Sequence, residues 1–126
     1  MKRVRALLGK IKRVQPEARF VLSFDGRGIS LIDPDGNCFS IPVNDLEAVI
    51  IETNDTGPWG MDVWWVLLGP EGKLGVLYPQ GATGEAQVLN FLMALPGFNE
   101  DLMTKAMGST TNATFPVWHK PDVGAV

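Results

Sequence analysis

From Leu46 to Tyr78 the chain sets two dense apolar stretches, LEAVIIET and MDVWWVLL, on either side of a polar, glycine-bearing loop, NDTGPWG. A third stretch, KLGVLY, follows across a short turn. In extended form Leu46, Ala48 and Ile50 share one face of the first stretch, and Val49 and Ile51 share the other. Met61, Val63, Trp65 and Leu67 oppose Trp64, Val66 and Leu68 in the second. A strand that is apolar on both faces needs cover on both, so the pattern predicts central rather than edge strands. Their β-branched and aromatic content favours strand over helix. Gly57-Pro58 and Gly69-Pro70 hold the second stretch to strand length.

Upstream, three shorter strands are predicted. ARFVLSF (18–24) places Phe20, Leu22 and Phe24 on one face, GISLID alternates Ile29 and Leu31 against Ser30, and CFSIPV aligns Phe39, Ile41 and Val43. Asp25-Gly-Arg-Gly28 and Asp33-Pro-Asp-Gly-Asn37 between them have hairpin-turn chemistry. Pro42 predicts an edge position or the close of its strand. Downstream the period changes to that of a helix. Thr83 is the expected cap of a helix over 84–95, with Val88, Leu89, Leu92 and Leu95 as its apolar stripe and Pro96-Gly97 as its stop. Asn99 is expected to cap a second helix over 100–107, and FPVW ends the chain as a strand-like segment. The reading is α+β: an antiparallel meander sheet or partly open barrel of about six to seven strands, a basic N-terminal helix, and one or two C-terminal helices.

The N-terminus stands apart. Val4, Leu7, Leu8, Ile11 and Val14 recur at helical spacing among Lys2, Arg3, Arg5, Lys10, Lys12 and Arg13, with Gly9 in the middle and Pro16 as the stop. Residues 1–19 hold seven basic residues and one acid, a balance of +6, whereas the rest holds four basic and thirteen acidic, a balance of −9. The acidic body argues against nucleic acid as a partner. Three readings of residues 1–16 compete: packing on the chain's own acidic domain, attachment to an anionic membrane surface, or docking to another protein. One domain over 17–120 and a loose tail over 121–126 complete the expected organisation. At 126 residues such a domain buries a core without disulfides, and the single Cys38 leaves none to form. That usage fits a cytoplasmic protein, peripheral to the inner membrane face if residues 1–16 bind it. The apolar surplus also admits a homo-oligomer.

The segment DGRGISLIDPDGNCFSIPVNDLEAVIIE, with its two hairpins and its polar-then-Asp-Leu-x-x-Val-Ile entry into a further strand, is followed by the helix over 84–95. In this succession the chain resembles the pleckstrin-homology-like superfold, including its small bacterial versions, over about residues 17–95. The resemblance implies a scaffold that binds lipids, peptides or proteins, usually without catalysis. Phosphoinositide-binding members use a basic first loop, which here is DGRG with one arginine.

Candidate chemistry is sparse. Cys38, the single cysteine, and His119, the single histidine, are the candidates for a small enzyme, and neither has a legible partner. The Asp33–Asn37 turn lacks the spacing of a calcium loop, and no metal or cofactor is expected. The richest loop follows the first apolar stretch. Asn54, Asp55, Thr56, Trp59 and Asp62 gather amide, acid and hydroxyl groups around an aromatic ring, as a recognition loop does. The competing reading folds Trp59 back over the sheet, near a cluster of Trp64, Trp65 and Trp118. A non-catalytic binding or adaptor module for a protein or peptide is the expected function.

Overall fold

The computed structural model describes residues 16–54 and 63–121. Among them are seven strands and two α-helices: β1 (Val21–Phe24), β2 (Gly28–Ile32), β3 (Cys38–Pro42), β4 (Ala48–Thr53), β5 (Val63–Leu68), β6 (Leu74–Pro79), α1 (Glu85–Met93), α2 (Glu100–Met107) and β7 (Ala113–His119). The fold is α+β and every paired strand runs antiparallel to its neighbour.

Both upstream hairpins are closed by an aspartate. Asp25 Oδ1 accepts the N–H groups of Arg27 (2.8 Å) and Gly28 (2.9 Å). Asp33 Oδ1 accepts those of Asp35 and Asn37, both at 2.9 Å. Leu22 then pairs with Leu31 and Ile29 with Ile41, which puts these four buried residues on one face. The first strand starts later than its apolar pattern predicts. Pro16–Arg19 is a 3-10 turn, in which the Phe20 N–H reaches the Glu17 carbonyl (3.0 Å). A leading proline has its φ preset for such a turn.

The expected continuous meander is divided into two sheets. β1-β2-β3 form one, and β6-β5-β4-β7 the other. β3 ends at Pro42, which has no N–H for a ladder, and a 3-10 turn over Val43–Asp45 redirects the chain. The FPVW segment lies within β7, which the helices return to the free edge of β4, with a bulge between Val49 and Ile50. β4 and β5 are therefore central, as their composition predicts.

Pleat alternation sorts the larger sheet into two faces. Val49, Ile51, Trp65, Leu67, Val76, Tyr78 and Trp118 point inward and are buried in one core cluster with Val88 and Leu92 of α1, Ala106 of α2, and Leu22, Ile29, Leu31 and Ile41 of the smaller sheet. The opposite face carries Ala48, Ile50, Trp64, Val66 and Leu68, all half-buried. The expected tryptophan cluster is accordingly split. Trp65 stacks on Tyr78, Trp64 meets Phe20 edge-on from the outer face, and Trp118 donates its indole N–H to the Pro96 carbonyl (2.8 Å).

The capping of α1 also differs from expectation. Thr83 spends its hydroxyl on the Ala18 carbonyl (2.7 Å), and its backbone bridges β1 through Leu22 and Phe20. The N-cap is Gly84, at φ +86°, where any Cβ would run into the Leu22 carbonyl oxygen. Asn99 does cap α2, its Oδ1 accepting the Leu102 N–H at 3.0 Å. No helix among the described residues is long and apolar enough to cross a membrane.

Candidate functional site

Most of the polar groups singled out by the sequence fall outside the described residues: Asp55, Thr56, Trp59 and Asp62 of the loop, and Lys2, Arg3, Arg5, Lys10, Lys12 and Arg13 of the basic segment. Asn54 is described, and stands half-buried just after β4. Cys38 is exposed on β3, an edge strand, and its Sγ faces the Gly36 carbonyl. His119 is exposed on β7, an edge strand of the other sheet, with Nδ1 3.2 Å from the Lys120 carbonyl oxygen.

A different site emerges where the two sheets meet. The smaller sheet crosses the edge of the larger one at Gly75, whose missing side chain leaves room for Ile41. One same-face step from Ile41, Phe39 and its register partner Leu31 line a groove of about 260 Å³. Phe20, Trp64, Leu74 and Leu77 make the rest of its apolar lining, with Asp33 as its carboxylate. Leu74 and Leu77 are three residues apart, a spacing that a regular strand would place on opposite faces. The irregularity between Leu67 and Leu68 brings them together: Leu77 pairs with Val66 and Leu74 with Leu68, both on the outer face.

Three of the lining residues are exposed. Phe39 is 45% exposed, Leu74 55% and Leu77 38%. Three large apolar side chains at one concavity present a surface that water solvates poorly. Asp33 fixes the charge beside them. Desolvation pushes its carboxyl pKa upward, but hydrogen bonds from Asn37, Asp35 and Gly36 outweigh that and leave it below its ordinary value. Asn37 adds a side-chain bond to Oδ2 at 3.1 Å. The groove thus combines an apolar trough with an anion held in place by its own turn.

A second hollow, of about 350 Å³, lies between the Pro96–Gly97 turn and the end of β7, and includes Asn99, Trp118 and His119. Its polar groups are engaged within the fold. Asn99 caps α2 and sends its N–H to the Val117 carbonyl (2.7 Å), while the Trp118 indole is bound to Pro96. Tyr78, stacked on Trp65, has its phenol held protonated by burial and by the nearby Glu85 carboxylate. Among the described residues no three His, Cys, Asp or Glu side chains are grouped to hold a metal ion.

No protein-family model, curated protein or solved structure matches this chain. The site is defined by geometry alone. Sequence reasoning missed it because its walls come from four separate strands and from Phe20, just after the Pro16–Arg19 turn. The one available signal was Gly75 inside a strand pattern, which marks a bulge or a close backbone approach.

Proposed function

We infer that this protein is a non-catalytic binding module that takes an apolar side chain of a protein or peptide partner into the groove between its two sheets. The observation that carries this reading is the clustering of Phe39, Leu74 and Leu77, all exposed, around one concavity. Asp33 adds a preference for Lys or Arg next to the apolar anchor, since a carboxylate beside an apolar trough discriminates against acidic sequences. The resemblance of the succession of elements over about residues 17–95 to the pleckstrin-homology-like superfold, whose members usually bind without catalysis, agrees with this reading.

The test is a panel of synthetic peptides carrying Phe, Leu or Trp flanked by Lys or Arg, with Glu-flanked counterparts, titrated into the full chain and followed by NMR. Basic peptides are expected to shift the resonances of Phe39, Leu74 and Leu77, and Leu77→Ser should weaken binding by about tenfold, the usual scale for losing an anchor contact. Asp33→Asn should narrow the gap between basic and acidic peptides. Absence of binding, or shifts that map away from these residues, would refute the proposal.

A further inference from the structure

The outer face of the larger sheet presents a second apolar surface, continuous with the groove through Trp64, Leu74 and Leu77. Ala48 and Ile50 of β4 and Trp64, Val66 and Leu68 of β5 lie side by side in register. Both helices contribute to the core on the other side, and the smaller sheet meets β6 at its edge. Among the described residues, no helix covers this face. A sheet with such a face needs a partner.

The described chain begins beside it. Phe20 packs edge-on against Trp64, with ring centroids 5.7 Å apart, and Glu17 lies against Gly81 just past β6. Residues 1–15 therefore join the domain at one end of the apolar face. They carry Val4, Leu7, Leu8, Ile11 and Val14 at helical spacing, and fifteen helical residues reach about 22 Å, against about 20 Å for a six-residue strand. Charge agrees with the length. Residues 1–15 hold six basic residues and no acid, whereas 16–126 hold five basic and fourteen acidic, a balance of −9. Glu52, exposed, stands on the same face as Ile50.

We propose that residues 1–15 dock on the outer face of the four-stranded sheet of their own chain, with the apolar stripe on Ile50, Val66 and Leu68 and the basic side chains directed to Glu52 and to solvent. The occupant is this segment and no other molecule. The docking residues Ile50, Val66 and Leu68 adjoin the groove at Trp64 but are not part of its lining, so the segment borders the peptide site without filling it.

The decisive measurement is methyl-resolved NMR on the full chain at ordinary salt. Nuclear Overhauser contacts from the methyls of Leu7, Leu8 and Ile11 to those of Ile50, Val66 and Leu68 are expected within one molecule. Sharp segment methyls without such contacts would overturn the proposal, as would contacts found only between differently labelled copies. Segment signals that lose sheet contacts yet broaden on vesicles of anionic lipid would overturn it in favour of a membrane surface. In the full chain, Leu7→Asp with Ile11→Asp should free the face and raise the fluorescence of an added apolar dye several-fold. Unchanged dye fluorescence would count against the docking.

Discussion

At the scale of single residues, two aspartates do the most for the local structure. Asp25 accepts two backbone N–H groups across the first hairpin, and those bonds, from Arg27 first and then Gly28, hold its carboxyl pKa below the ordinary value. A carboxylate whose pKa falls on folding adds stability above its unfolded pKa of about 3.9, and loses it as pH drops through the folded value. NMR titration of the Asp25 side-chain carboxyl is expected to give a folded pKa under that of an unfolded reference peptide. Asp25→Asn should lower the unfolding midpoint at neutral pH, and the difference should shrink as pH falls from the unfolded pKa through the lower folded one. Both turns were legible, because aspartate followed by glycine is chemistry a tight turn requires. The role of Thr83 was not. Its hydroxyl finds the Ala18 carbonyl, 65 residues back in the chain, and no local rule chooses that partner over the nearest helix N–H.

Among the elements, the strands and helices follow their apolar periods closely, and the departures occur where elements touch. α2 begins after Asn99 and ends at Met107, as its capping residue and acidic first turn predict. β6 departs from simple alternation because Gly75 sits where the smaller sheet crosses it. A Cβ there would press on the Ile41 side chain and approach the Leu67 carbonyl oxygen. Gly75→Val is therefore expected to destabilise the fold by about 1–3 kcal/mol, the range for overpacking a closed site, as measured by urea unfolding. The same substitution should alter the groove, since Gly75 belongs to its lining. Thr53, buried at the end of β4, donates to the Thr111 carbonyl at 2.8 Å and lies 3.1 Å from Ser109 Oγ, which ties the sheet to the connector after α2.

In the molecule as a whole, two sheets share one core. Leu92 of α1 is fully buried in the cluster that contains Leu22 and Ile29 of one sheet and Val49 and Leu67 of the other. Leu92→Ala should cost about 2–5 kcal/mol, as large-to-small core changes do. Because the cavity would touch a core common to both sheets, tryptophan fluorescence and far-ultraviolet circular dichroism should shift together as one transition. Separate transitions would mean that the three-stranded sheet unfolds on its own. The groove also belongs to this scale. It is created by one sheet overhanging the edge of another, and Phe39 and Leu77 have no relation along the chain that would announce it.

By itself the sequence determined the α+β class, the two hairpin turns, the central places of β4 and β5, and the position of α2, because each depends on periodicity or on side chains bonding their nearest backbone. It also determined the charge asymmetry that sets residues 1–15 apart from the acidic remainder. Tertiary structure alone decided the break after Pro42 that makes two sheets of one meander, the return of β7 to the free edge of β4, and the separation of Trp64 from Trp65 by the sheet between them. Those outcomes turn on which faces and edges meet across the core. A strand's pattern says how much apolar surface it must hide, but only its neighbours in space decide where that surface goes.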